Sequence, residues 1–245
     1  MINLNKFLLV LFLMISSSIG ANSQILISLL FGDALNSDKI EFGLNGGMNR
    51  SFINDISESK GMNNFNLGFY FHVLIKEQSY LSTGVMVKSN VGATGMPTYK
   101  IGDDDFDDVF KDGVLTKEIN YFYVPILFQQ RFHDNRWYLE GGFQAGLRHK
   151  AYDLFDKDAF DGTVSFKKDV RDEYARLDGG LVAGVGYKWK KQIKSISTGV
   201  NYYYGLANVS KVDGTTIKNS SIYFYVKVPI GANGKKKKDK NSVVD

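Results

Sequence analysis

The amino-acid sequence predicts an all-β fold, an eight-stranded antiparallel up-and-down transmembrane β-barrel, on three observations. Apolar residues recur at every second position over long stretches, the positions between them are rich in glycine and polar residues, and the connections between stretches alternate long and short. Side chains on a strand point alternately to opposite faces, so this spacing makes strands with one greasy face. Hydrophobic residues form 44% of the 245-residue chain, a share ordinary for a soluble protein. A barrel spanning lipid needs apolar residues on only one face of each strand, so average hydropathy does not separate the two classes.

The ends of the chain read differently from its body. Residues 1–23 have the form of a cleaved signal peptide: Lys6 is the basic region, Phe7 to Ile15 the apolar core, and Ala21, Asn22 and Ser23 a small-x-small cleavage site. That core is shorter than the roughly 20 residues a spanning helix needs, so export is expected, with the mature protein integral to the cell outer membrane. Residues 24–37 form a leading segment without clean alternation, residues 38–231 the barrel, and residues 232–245 a basic, disordered periplasmic tail. The net charge of +4 resides in the tail and in Lys6, leaving a nearly neutral body. No basic patch with interleaved aromatics argues for nucleic acid. The absence of Cys excludes disulfides and thiolate metal sites.

The first strand runs from residue 39 to about residue 50, with Ile40, Phe42, Leu44 and Met48 on one face and Glu41, Gly43, Asn45, Gly47 and Asn49 on the other. After a polar loop, the second has the clearest alternation in the chain: Phe65, Leu67, Phe69, Phe71, Val73 and Ile75 against Asn66, Gly68, Tyr70 and His72. A tight connection leads to the third, where Leu81, Thr83, Val85 and Val87 oppose Ser82, Gly84, Met86, Lys88 and Asn90. A long acidic excursion, residues 92–116, precedes the fourth strand at residues 117–131, which places Phe122, Val124, Ile126 and Phe128 outward and contains Pro125. The turn at residues 133–135 leads to the fifth, residues 136–150, with Trp137, Leu139, Phe143, Ala145 and Leu147 outward. Residues 151–172 form a long segment before the sixth strand, residues 173–189. A short basic turn precedes the seventh, residues 195–208, and a loop at residues 209–217 precedes the eighth, where Ile222, Phe224, Val226, Val228 and Ile230 oppose Ser221, Tyr223, Tyr225 and Lys227. Long loops at one end, short turns at the other and an even strand number are the habit of outer-membrane barrels. A soluble lipocalin-like barrel is the rival fold; it requires the bulky apolar positions to point inward.

Four of these stretches carry a family resemblance. Residues 176–187, Arg-Leu-Asp-Gly-Gly-Leu-Val-Ala-Gly-Val-Gly-Tyr, resemble the sixth strand of the PorT-like outer-membrane β-barrel family common in Bacteroidota. Residues 42–49 resemble that family's opening strand, residues 121–129 with Pro125 its fourth, and residues 202–208 its seventh. The resemblance implies an integral outer-membrane protein of eight strands, with other envelope or secretion proteins as partners, and implies little about activity. Asn201 departs from the lumen-facing Arg expected there, and the charged extension after Ile230 departs from a barrel that finishes with its last strand.

If the apolar face meets lipid, the other face fills a narrow lumen, and eight strands enclose about the space their side chains can plug. The inward charges are Glu41, Lys88, Arg131, Glu140, Arg148, Arg176, Asp178 and Lys227. Both signs are present, and an enclosed charge without a partner is costly, so a paired structural network is expected. Inward glycines such as Gly146 and Gly186 make room for longer neighbours. The acidic runs at residues 103–108 and at Asp156, Asp158 and Asp161 lack the glycine and terminal Glu of a twelve-residue calcium loop and read as solvated loops. The histidines are His72, His133 and His149. His149 near a Ser such as Ser89 is the one arrangement that would suit a lipid hydrolase, and no triad motif supports it. The expectation is a monomeric, non-enzymatic barrel without cofactor or metal, in contact with outer-membrane lipid, with a structural, surface-interaction or secretion-assembly role. A small-solute channel and an outer-membrane lipid hydrolase are the alternatives.

Overall fold

The computed structural model describes residues 39–54, 59–159, 162–192 and 194–230, which lie in one compact unit, Asp38–Ile230. The expected signal peptide, leading segment and tail fall outside the described residues. Ten strands form one antiparallel sheet. They are β1 (Ile40–Asn54), β2 (Lys60–Lys76), β3 (Ser79–Lys88), β4 (Asn90–Pro97), β5 (Val114–Phe132), β6 (Trp137–Ala159), β7 (Gly162–Asp169), β8 (Leu177–Lys188), β9 (Ser197–Gly205) and β10 (Lys218–Pro229). Among the described residues one short helix, α1 (Asp104–Phe110), lies between β4 and β5, and a 3-10 turn (Arg171–Glu173) precedes β8. No helix among the described residues is long and apolar enough to cross a membrane.

The pairings close on themselves: β1 with β2, β2 with β3, β3 with β5, β5 with β6, β6 with β8, β8 with β9, β9 with β10, and β10 with β1. The two remaining strands extend this cycle along the strand direction. β4 carries the β3 position onward between β2 and β5. β7 folds back on the far end of β6, beyond the part that β8 occupies.

The side-chain pattern settles which face is greasy. Met48, Leu139, Leu177 and Phe224 are 58%, 56%, 68% and 57% exposed, while Glu41 and Arg131 are 0% exposed. Phe65, Leu67, Ile126, Phe128, Leu181 and Val226 share the outer surface. A continuous apolar exterior far exceeds the few hundred Å² that soluble monomers leave exposed and marks a lipid-facing surface. The lipocalin-like alternative, with these residues inside, is overturned.

Among the described residues the ladders shift register at Leu67/Gly68, Leu74/Lys76, Ala93/Met96 and Asn120/Tyr121, and the first and last of these decide which way site candidates face. Leu67 pairs with Lys88 while the next residue, Gly68, pairs with Met86, so β3 carries an extra residue at its end. A bulge of this kind moves every later side chain to the other face. Lys88 is therefore exposed, whereas Ser89, Val91 and Ala93 are buried. In β6 the extra residue is His149, between the Tyr121–Arg148 and Asn120–Lys150 pairs. Beyond it Ala151, Asp153 and Phe155 turn inward. Pro125 has no N–H to donate; accordingly the β3–β5 ladder skips from Thr83–Ile126 to Met86–Tyr123.

The segments expected to be long loops are largely folded. β5 has 19 residues and β6 has 23, against the roughly 9–11 a tilted membrane crossing needs. Their far halves, with β4, β7 and α1, make a lobe beyond the apolar band. Its centre is aromatic: Phe110 and Phe155 are buried, and Phe166 packs on both. The acidic run opens α1. Asp103 is its N-cap, accepting from Phe106 N at 3.3 Å, and Asp107 accepts from Ile101 N at 2.6 Å. Asp156 and Asp158 accept from Ser165 and Thr163 across the β6–β7 hairpin, and Asp161 lies outside the described residues. Tyr99, in the loop before α1, donates to buried Asp153, which also pairs with Lys117. Burial, with Asp153 beside it, pushes the Tyr99 phenol well above its ordinary range. At the opposite end, the turn between β5 and β6 strings together three left-handed residues, His133, Asp134 and Asn135, with φ of 49°, 54° and 66°. These are residue types that tolerate that region best after glycine.

Candidate functional site: the polar interior

Glu41 and His72 face each other across the β1–β2 ladder on the inward side. On β5 and β6, Gln129 is opposite Glu140 and Arg131 opposite Tyr138. Alternation thus brings the polar residues of four strands to one level near the short-turn end. Glu41 accepts hydrogen bonds from Tyr70 Oη at 2.9 Å, Arg131 Nη2 at 3.2 Å and Lys188 Nζ at 2.8 Å. Arg131 also donates from Nε to Gln129 Oε1 at 2.9 Å, and its guanidinium lies 3.6 Å over the Tyr80 ring. His72 Nδ1 sits 3.0 Å from Arg131 Nη2, and its Nε2 3.4 Å from Lys227 Nζ. Glu140 accepts from Asn201 at 2.8 Å, Gln129 at 3.1 Å, Tyr225 Oη at 3.2 Å and Lys227 Nζ at 3.3 Å. Glu41 therefore has two buried cations and the Tyr70 hydroxyl, and Glu140 one buried cation and three neutral donors, the condition under which enclosed charges are tolerated.

A second cluster lies toward the long-loop end. Asp178 on β8 accepts from Tyr123 Oη at 2.9 Å, Tyr203 Oη at 3.0 Å, Asn219 Nδ2 at 2.9 Å and Gly179 N at 2.7 Å. Gly146, paired with Asp178, is what admits the Tyr123 ring, since a Cβ there would lie 2.5 Å from it. Gly186 does the same for Tyr138, at 2.1 Å. Between the clusters is a cavity of about 50 Å³ lined by Asn45, Asn66, Ser82, Glu140, Asn201 and Tyr223, among others. It is large enough for a water or two.

Of the residues expected to form the network, Glu41, Arg131, Glu140, Asp178 and Lys227 are buried inside. Lys88, Arg148 and Arg176 are not part of it. The β3 bulge turns Lys88 out. Arg148 sits at the β6 bulge, half-buried, and donates to Ala175 O at 3.2 Å. Arg176 lies at a bend one residue ahead of β8 and is exposed. Lys188, Tyr70, Gln129 and Asn201 belong to the network and were not assigned to it from sequence; Lys188 was recoverable, because it stands an even number of residues from Asp178 on an unbroken strand. Asn201 takes part through its amide in the place where an Arg was expected. The interior is also filled by tyrosines, Tyr70, Tyr121, Tyr123, Tyr138, Tyr203, Tyr223 and Tyr225, whereas Phe65, Phe122, Phe128, Phe143 and Phe224 on the same strands face out.

His149 stacks on outward Phe122, with centroids 4.3 Å apart, while Ser89 is buried on the inner side. The two are not brought together. Among the described residues no group of three His, Cys, Asp or Glu side chains could hold a metal ion.

A family profile described as the outer membrane protein beta-barrel domain matches residues 31–211. The chain belongs to that family. It is accordingly an outer-membrane β-barrel protein. No curated protein matches it. Among solved structures, Ail of Yersinia pestis, in complex with the heparin analogue sucrose octasulfate, is similar at 12% identity and a TM-score of 0.44, over 78% of this chain and 99% of that one. Neisserial surface protein A has 9% identity and a TM-score of 0.39, over 79% and 98%. OprG of Pseudomonas aeruginosa has 11% and 0.33, over 77% and 93%.

Proposed function

We propose that this protein is an eight-stave, up-and-down barrel with a closed lumen, exported through a cleaved signal peptide, which acts as a monomeric structural and surface-interaction element of the outer membrane. The cycle of eight pairings supports the count, with β3 and β4 as one stave and β7 and β8 as another. The observation that carries the closed lumen is the network itself. Glu41, Arg131, Lys188, Glu140 and Lys227 join opposite walls by direct contacts, and what remains open between the clusters is about 50 Å³. A solute-conducting path would need those ion pairs to part, at about 3–5 kcal/mol for each enclosed charge left without its partner. The folded lobe at the long-loop end supports the surface-interaction part, since ordered structure beyond the membrane presents a shaped surface instead of a floppy loop.

Planar-bilayer recording tests this reading. The purified barrel is expected to show no discrete openings; reproducible unitary currents would replace it with the small-solute channel. The PorT-like segments keep a secretion-assembly role as the second reading. Reproducible copurification of an envelope partner in mild detergent would favour it, and recovery of the barrel alone would count against it. A non-enzymatic role predicts unchanged phospholipid and lipid A on incubation with the purified protein.

A further inference from the structure

β7 differs from the other strands in having one neighbour. Among the described residues it pairs only with β6, and pairing on its other side resumes only below it, at the Tyr174–Ser210 bridge. Val170 N donates to Ala151 O, which fixes the phase of the ladder. Gly162, Val164, Phe166 and Lys168 bond to β6, so the N–H and C=O groups of Thr163, Ser165 and Lys167 point away from it. A row of unpaired main-chain groups is a template for another strand unless side chains guard it, and lysines usually do. Here they are folded back. Lys167 Nζ lies 3.6 Å over the Tyr152 ring, and Lys168 Nζ bonds Tyr99 Oη at 3.2 Å. An apolar patch flanks the same edge outside the lipid band: Phe106, Val109 and Val164 are 41%, 50% and 44% exposed, and the Phe106 ring packs 5.0 Å from that of Phe166.

We propose that the free edge of β7 accepts an extended segment of another protein, added as a further strand of the lobe. The incoming segment would carry apolar residues at alternate positions, packing on Val164, Phe106 and Val109. Acidic or hydroxyl residues would fall between them, on the face that presents Lys167. Main-chain bonds supply affinity in this mode of recognition and the alternate side chains supply selectivity. A second copy in the same membrane fits poorly. Barrel strands tilt by roughly 35–45°, so two β7 strands related by an axis along the membrane normal would cross instead of aligning. The inference rests on the lobe lying at the cell surface.

The probe is a fluorescein-labelled synthetic peptide in which valine alternates with glutamate and threonine, titrated by anisotropy against the full barrel in nanodiscs. Wild type and Ser165→Ala are expected to bind it. Ser165→Pro, which removes an edge donor while leaving the β6 bonds in place, is expected to bind about tenfold more weakly or not at all. The same peptide N-methylated at alternate amides should fail against wild type, which guards against a misfolded variant. No binding to wild type, or equal binding by Ser165→Pro and by the methylated peptide, would overturn the proposal. Protease treatment of intact cells separates this from the surface reading. Cleavage in the lobe without peptide binding ends the edge proposal alone, whereas a lobe protected in intact cells and cut in lysates ends the surface location.

Discussion

Glu41 has no solvent to fall back on: it is fully buried, and Arg131 and Lys188 both depend on its carboxylate. Glu41→Ala would remove the carboxylate that both enclosed cations pair with, and the expected loss is about 3–5 kcal/mol, read as a lowered urea midpoint of the barrel refolded in phospholipid vesicles. Gly186→Ala should also destabilise, because the added methyl would meet the Tyr138 ring; a companion Tyr138→Leu change should recover part of the loss, which a purely backbone effect would not allow. At the short-turn surface the scale is smaller. The Lys191 ammonium bonded to Asp134 holds that carboxyl below its ordinary value, so the bond is complete above the ordinary carboxylate range and lost as pH falls through the lowered value. Lys191→Ala should shift the Asp134 carboxyl titration upward, seen by NMR. Parity along a strand was enough to read Glu41, Arg131, Glu140, Asp178 and Lys227 as interior. It was not enough for Lys88, because nothing about Val87, Lys88 or Ser89 announces an extra residue in the ladder.

Strand elements carry the boundary between lipid and water. Phe143 and Val114 are both exposed, yet Phe143 lies deep in the band, between Ile126 of β5 and Leu181 of β8, and Val114 in the lobe, opposite Asp156. Phe143→Arg is expected to cost about 2–4 kcal/mol in vesicles, whereas Val114→Arg should stay within about 0.5 kcal/mol. Equal costs at the two positions would contradict the placement of the lobe outside lipid. The alternation that made the second strand legible, Phe65 to Ile75, is unbroken because both its faces have constant surroundings. Residues 151–172 looked like a loop for the opposite reason. Both faces of that hairpin meet water or α1, and a strand without a lipid face loses the apolar period that identifies it, leaving Asp and Lys in its place. Phe155 and Phe166, opposite each other, were the surviving signal.

For the whole molecule, the division of side chains across the sheet within the apolar band is the organising feature: most of its phenylalanine, leucine and valine lie outside, most of its tyrosine and charge inside, with Tyr202 and Tyr204 outside and Leu127 and Val182 inside as the exceptions. That division was legible as periodicity, and it led to the fold class; the ten-segment sheet was not, since splitting a stave depends on bulges that composition does not show. A barrel held by interior charge pairs and closed ladders should keep its fold in cold detergent and migrate differently on gels before and after heating. The central claim is that the outer face touches acyl chains, and both tryptophans, Trp137 and Trp189, are on it, 52% and 58% exposed. Tryptophan fluorescence of the unmodified protein, reconstituted in vesicles of brominated or ordinary phosphatidylcholine, tests it without any substitution. Marked quenching by bromine on the acyl chains near the headgroups is the expected result; identical emission in the two kinds of vesicle would contradict the account.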